Sequence, residues 1–330
     1  SALVKSNVWN LGFRENKEFW NIHKDKFPNG FSGITEYAAS KGIKLGLWFS
    51  PDAKNSYEAW QEDAVTLCEL YDNYNIEHFK IDGVIINDKE SEENLVAFLT
   101  YVDNHAKGRV TFNLDITAGE RLGYLFNRKF GELFVENRYT DWGNYYPYKT
   151  LRNIWQLSRY TAPERFQAEF LNPWRNQDKY YEGDIFTPSS YSFDYVAATS
   201  FAAQPLAWME ASNLPEDAYY VGALLKQWYT LAPEIHKGAI LPVGDEPSGR
   251  SWTGFQSIDD DKHGYLIVYR ELTPDASGLL KTWLPAGAKI KCKALMGSGK
   301  DFTTKVDPDG RIKVNLKEPN SFAIYEYSVK

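Results

Sequence analysis

Over roughly the first 240 residues, short unbroken apolar runs alternate with longer stretches whose apolar residues recur every three to four positions. The runs at 43–49 (IKLGLWF), 76–81 (IEHFKI), 109–114 (RVTFNL), 131–135 (GELFV), 165–171 (RFQAEFL) and 206–210 (LAWME) predict buried strands. The stretches at 31–42, 57–73, 93–105, 149–159 and 193–203 predict helices, the first stopped by Gly42. Strands apolar on both faces and separated by helices make a parallel sheet. The spacing, roughly 30 residues per unit, fits a (β/α)8 TIM-type barrel. A doubly wound sheet is the alternative, but no GxGxxG opens a helix after a strand. Only six strands are counted, and residues 1–30 look like a long loop. Either LVKSNVW supplies a degenerate strand or the first strands of the barrel are missing from this chain; the second reading is preferred, because a barrel short of two staves leaves open sheet edges.

From about Ser251 the texture changes to short alternating runs at 252–258, 264–269, 279–283, 289–294, 311–316 and 321–327. Turn compositions (DDDKHG, PAG, MGSGK, DPDG) punctuate them. This predicts a C-terminal antiparallel β-sandwich. The expected division is residues 1–245 for a catalytic barrel and 246–330 for the sandwich.

Composition narrows the function classes. The 330 residues carry 37 basic and 44 acidic side chains, net −7, which argues against a nucleic-acid face. No apolar run is long enough to span a bilayer. Aromatic residues make up 16%, with 11 Trp and 22 Tyr. Their flat apolar faces and hydrogen-bonding edges match sugar rings, so an oligosaccharide or polysaccharide partner is the first to test, beside the plainer reading of an aromatic core. Cys68 and Cys292 stand far apart, and Cys68 lies in an apolar stretch that predicts a buried thiol. The five histidines show no paired spacing, so neither a metal nor an organic cofactor is expected. No signal peptide opens the sequence. The compartment stays open, a secreted or periplasmic protein with its signal removed being compatible.

The strongest local chemistry is His78-Phe79-Lys80-Ile81-Asp82-Gly83. Alternation along a barrel strand puts Lys80 and Asp82 on the lumen side, where Lys80 would keep Asp82 ionised as a nucleophile. The bland alternative is an ion pair that only plugs the barrel. A nucleophilic carboxylate needs a partner acid, and FVENRYTDWGNYYP offers Asp141 and Glu136, which otherwise read as a helix cap and a strand-end salt bridge. Asp52, Asp82, Asp115, Glu136 and Asp141 all fall at or beyond strand C-terminal ends, the rim that holds active sites in barrels.

GIKLGLWFSPD, FKIDG and ENRYTDWGNY, preceded by Lys26-Phe27-Pro28-Asn29-Gly30-Phe31, together resemble the alpha-galactosidase (melibiase) clan of retaining glycoside hydrolases. In that clan KFPxGL, GxKxGLWxEPE, a KxD strand and a later Asp-bearing loop occur in this order on a (β/α)8 barrel followed by a β-sandwich. The resemblance implies that Asp82 is the nucleophile, that Lys80 touches the sugar, and that Asp141 is the acid/base. Arg138 is similar to the Arg preceding that acid in part of the clan. Trp48 and Asp52 occupy GLWxEPE positions, with Asp52 in place of Glu. Asp115 through Arg121 stand where relatives carry a Cys-Ser-Gly-Gly-Arg-like sugar-contacting loop. Glu136 and Trp142 complete the substrate-binding set, and Trp174 is a further stacking candidate. The sequence departs from the clan's pattern in three ways: it shows no early Asp-Asp-Gly-Trp strand, no large N-terminal β-domain, and RYTDW where the clan has WTSDNTD.

The reaction so implied is hydrolysis of α-galactoside-like residues with retention, through a covalent glycosyl-enzyme and carboxyl groups roughly 5–5.5 Å apart. Its rivals are transglycosylation, a degenerate carbohydrate-binding protein, and an aldolase using Lys80 as a Schiff base.

Overall fold

The computed structural model describes residues 19–82, 86–115, 129–135, 138–209 and 214–330. The LVKSNVW segment lies outside them. The chain forms two compact units, Ser1–Phe134 and Val135–Lys330.

In the first unit, β1 (Gly46–Phe49), β2 (His78–Ile81), β3 (Thr111–Asp115) and β4 (Gly131–Val135) lie side by side in chain order, all parallel. Helix α1 (Ser32–Ser40) precedes β1, α2 (Trp60–Tyr74) joins β1 to β2, and α3 (Lys89–His105) joins β2 to β3. The core gathers Phe79, Ile81, Phe112 and Leu114 from the strands with Leu67, Leu95, Leu99 and Val102 from the helices, all buried. Local signals set the helix ends. Glu62 and Asp63 sit in the first turn of α2, complementing its dipole, and Asn75 closes it in a left-handed conformation. The Asp88 carboxylate caps α3 by accepting from Ser91 N, so this helix starts four residues before the apolar pattern that predicts it. Gly131 is required by packing: a Cβ there would meet Phe112 O at 1.9 Å.

In the second unit, α4 (Pro147–Leu157), β5 (Phe166–Phe170), α5 (Phe193–Ala198) and β6 (Gln204–Ala207) continue the alternation, with β5 and β6 parallel. The long helix α6 (Tyr220–Ile235) follows; the sequence pattern does not single it out, and Pro233 interrupts its last turn. Then come β7 (Ala239–Gly244), β8 (Trp252–Ile258), β9 (His263–Arg270), β10 (Ser277–Lys281), β11 (Lys289–Gly297), β12 (Phe302–Lys305), β13 (Arg311–Asn315) and β14 (Ser321–Val329). Six of them form an antiparallel sheet in the order β12-β11-β14-β9-β8-β7, and β10 pairs with β13 as a separate ribbon. Leu280, Ile312 and Val314 of the ribbon share a core with Leu266, Val268, Tyr325 and Tyr327 of the sheet. Other sheet residues meet the helices. Phe322 packs edge-on against Phe201, which stacks flat on Trp228 of α6, and the Tyr269 hydroxyl donates to Ala198 O at 2.6 Å.

The parallel strands, intervening helices and trailing antiparallel sheet expected from the hydrophobic pattern are all present. Strand β1 is shorter than its apolar run, beginning at Gly46 while Ile43 is exposed.

Candidate functional site

In the first unit the functional candidates stand where parallel strands end. Lys80 and Asp82, two residues apart, project to the same side of β2. Asp82 lies one residue past the strand, yet its N–H still donates to Phe49 O at 3.0 Å, which fixes its backbone against β1. Lys80 Nζ donates to Asp82 Oδ2 at 3.0 Å, and Trp48 Nε1 of β1 donates to the same oxygen at 2.9 Å. Asp115, the last residue of β3, places Oδ2 3.9 Å from Lys80 Nζ. The Phe134 ring of β4 lies under the ammonium, 4.7 Å from its centroid. Four neighbouring strands thus each contribute one or two groups to a single cluster.

The side chains of Lys80 and Asp82 are each 12% exposed and that of Asp115 only 3%, so their charges interact with little screening. Burial alone would push the Asp82 carboxyl up. A hydrogen bond with Asp115, the Lys80 charge and the Trp48 and Lys80 hydrogen bonds outweigh it and hold Asp82 well below the usual carboxylate range. Asp82 is therefore ionised at neutral pH, the state an attacking carboxylate needs. At the opposite end of β2, burial lowers the His78 imidazole, partly opposed by Glu132.

Asp52 lies three residues beyond β1. It is buried, with its N–H donating to Asp63 Oδ2 at 2.9 Å and its Oδ1 accepting from Lys54 N at 3.0 Å, bonds that shape its own loop. The next turn is strained: Asn55, Ser56 and Tyr57 have φ of 48, 55 and 64°, three consecutive non-glycine residues in left-handed backbone. Asn94 Nδ2 donates to Ser56 O and Ser56 Oγ to Asp88 Oδ2, which ties the turn to the start of α3. Strain held this way is found around functional sites.

In the second unit, Asp141 sits in a 3-10 turn, Thr140–Trp142. Its carboxylate accepts from Asn176 Nδ2 at 2.6 Å and faces Arg175 Nε at 3.5 Å. It opens onto a cavity of about 360 Å³ whose walls include Tyr139, Leu171, Asn172, Arg175 and Trp208. Trp142 is largely exposed and meets the edge of Tyr139, with ring centroids 5.2 Å apart. Arg138 is exposed, with a left-handed φ of 81°. Trp174 packs edge-on against Phe193. Glu136 and residues 116–121 lie outside the described residues.

Of the residues chosen from sequence, Trp48, Lys80, Asp82 and Asp115 come together, while Asp141 gathers partners that the sequence reading passes over. Asn172, Arg175 and Asn176 belong to NPWRN, directly beyond β5. The strand-end rule that selected Asp82 and Asp115 also reaches them. Phe134, as an apolar residue in a strand, gives no signal of its place under a lysine. Both cysteines are buried, which pushes the Cys68 thiol up to about 11 and Cys292 to about 12. Among the described residues no group of three or more His, Cys, Asp or Glu gathers as a metal site, and no helix is long and apolar enough to cross a membrane.

No protein-family model matches the chain. Over 40 residues it is 45% identical to Alpha-galactosidase Mel36A of Lactobacillus acidophilus, a match covering 12% of this chain and 5% of that protein. In structure it is similar to the galactosidase domain of the alpha-galactosidase-sucrose kinase AgaSK, with a TM-score of 0.69 at 11% identity over 94% of this chain and 47% of that one. It is also similar to a GH36 alpha-galactosidase, AgaA of Geobacillus stearothermophilus, solved in complex with 1-deoxygalactonojirimycin. That match has a TM-score of 0.67 at 11% identity over 94% of this chain and 48% of that one. The chain thus spans about half the length of these solved chains, and its fold resembles the glycosidase barrel and the antiparallel β-sheet domain that follows it.

Proposed function

We propose that this chain carries the nucleophile and the acid/base of a retaining glycoside hydrolase acting on α-galactoside-like termini of oligo- or polysaccharides. The observation that carries the reading is Asp82: an ionised carboxylate at the C-terminal end of a parallel strand, with Lys80 and Trp48 both donating to one of its oxygens. In this reading Asp82 attacks the anomeric carbon and forms an ester while the glycosidic C–O bond breaks. Asp141 protonates the departing oxygen, then takes a proton from the water that releases the sugar. Lys80, Trp48, Asp52, Asp115, Arg138, Glu136 and Trp142 bind the sugar and its leaving group, within residues 1–245; residues 246–330 close the fold as its β-domain. The Asp141 cavity, with Asn172 and Arg175 as donors and Trp208 as an apolar wall, has the mixed polar and flat lining that a sugar requires.

The test is labelling with a fluorinated or cyclophellitol-type α-galactose mimic, followed by peptide mass spectrometry. A label on Asp82 establishes the nucleophile and the galactose configuration. A label on any other carboxylate overturns the assignment, and saccharide binding without label or turnover favours a carbohydrate-binding protein. That second reading draws on the altered motif, RYTDW standing where the clan has WTSDNTD.

A further inference from the structure

Asp141 and Asn176 lie on two turns that press against each other. The first, Thr140–Trp142, ends at Gly143 in left-handed backbone, where a Cβ would collide with Lys179 O. The second, Gln177–Lys179, begins at Asn176, itself left-handed with φ of 55°. Asparagine is among the few residues with a side chain that accept such backbone readily. From this position the Asn176 amide shares its two N–H groups between neighbouring side chains. Nδ2 donates to Asp141 Oδ1 at 2.6 Å and to Thr140 Oγ1 at 3.2 Å. Arg175 Nε stands 3.5 Å from the same Asp141 oxygen. Both donors from the loop beyond β5 fall on Oδ1, and among the described residues no hydrogen bond or ion pair reaches Oδ2.

We propose that Asn176 is a positioning residue for the acid/base: it holds the Asp141 carboxyl group in one orientation and reserves Oδ2 for the proton that moves. The role rests on the reading of Asp141 as the acid/base. It follows from what each atom can do. An amide N–H only donates, so the oxygen it meets accepts in both protonation states of the carboxyl group. When Asp141 carries its proton, that proton sits on Oδ2. In the first step it passes from Oδ2 to the glycosidic oxygen as the bond from that oxygen to the anomeric carbon breaks and Asp82 forms the ester. In the second, Oδ2 takes a proton from water while the water oxygen displaces Asp82. The Asp141 side chain is 59% exposed, so packing does not fix its torsion; the bond from Asn176, itself anchored on Thr140, does.

The test uses two variants that keep the left-handed backbone and remove the donor. Asn176→Gly deletes the amide, and Asn176→Asp keeps its shape while an ionised carboxylate can only accept. The measurement is kcat/KM on a dinitrophenyl α-galactoside, whose leaving group needs little protonation, and on an alkyl α-galactoside, whose leaving group needs it. Both variants should stay within a few-fold of the parent on the first substrate and fall about ten- to a hundred-fold on the second. In an Asp141→Ala background, Asn176→Gly should change the alkyl rate by less than about two-fold, since the group it positions is gone. An equal fall on both substrates, with the fold intact by circular dichroism, makes Asn176 only a staple between the two turns and overturns the proposal. No fall on the alkyl substrate, or a full further loss in the Asp141→Ala background, overturns it as well. The parent and the Asp141→Ala single variant tell this failure from that of the underlying reading. If the parent turns over neither substrate, or Asp141→Ala loses equally on both, the acid/base assignment itself fails and the Asn176 role falls with it.

Discussion

Trp48 and Lys80 are register partners across β1 and β2, and from these opposed positions both reach Oδ2 of Asp82. Opposed residues on parallel neighbours present their side chains to the same face, so the pair closes on the carboxylate like two jaws. The hydrogen-bond ladder that aligns the strands also aligns the donors. A slip of one residue in that ladder would turn Lys80 to the other face and empty the site.

Asp82→Gly should lower turnover of an aryl α-glycoside at least about a thousand-fold, the order expected when a catalytic nucleophile is deleted. Added azide should restore turnover and yield a glycosyl azide of inverted configuration. Product stereochemistry by proton NMR is the check, and unaltered hydrolysis by the variant contradicts the assignment.

Asp141→Ala should discriminate between leaving groups. Substrates with good aryl leaving groups need little protonation and should keep most of their first-step rate, while alkyl or sugar leaving groups should lose about a hundred-fold or more. A uniform loss across a leaving-group series would remove Asp141 from the acid role.

Lys80→Met should change how stability varies with pH. The folded pKa of Asp82 lies below its ordinary value of 3.8, so the stability it contributes is complete above that value and is lost as the pH falls below it. Removing the cation from a buried pair should destabilise the fold near neutral pH by about 3–5 kcal/mol. The gap between variant and parent should narrow as the pH falls, because Asp82 in the variant, lacking the cation, takes up its proton at a higher pH than in the parent. Urea denaturation at a series of pH values measures both, and a gap that does not change with pH contradicts the pairing.

Tyr269→Phe should destabilise the chain by about 1–3 kcal/mol with no change in labelling of Asp82. It strips a buried hydrogen bond from Ala198 O while leaving the ring packing in place. Thermal denaturation is the measurement.

Much of this architecture can be read from apolar spacing alone. The run at 131–135 coincides with β4; β1, β2, β3 and β5 differ from their predicted runs only at the ends, and β6 (Gln204–Ala207) shares just Leu206 and Ala207 with the run predicted at 206–210. The ends differ because an apolar run can outlast its ladder, as at Ile43, or because a capping side chain such as Asp88 starts a helix before its apolar face begins. The apolar pattern does not predict β7, which has Pro242 in its middle. The structure tolerates it because β7 is the outer strand of its sheet, with one backbone edge needing no partner. At the candidate site the split is similar. Trp48, Lys80, Asp82 and Asp115 follow from strand alternation and strand ends, which are local. The bond from Asn176 to Asp141 joins residues 35 apart through an irregular loop, and no periodicity encodes it.

The six-stranded sheet is covered twice, by the β10–β13 ribbon and by the aromatic contacts to the α5 and α6 region. Trp155 Nε1 of α4 also donates to Val243 O of β7, and Ser257 Oγ of β8 donates to Ile235 O at the end of α6. A polypeptide severed near residue 245, where the sequence texture changes, would bare Phe322, Tyr269 and Phe255 on one fragment and Phe201 and Trp228 on the other. Residues 135–330 should accordingly melt in a single cooperative step. A graft of the terminal β-strands onto another scaffold would carry a wet aromatic face with it unless the helices travelled too.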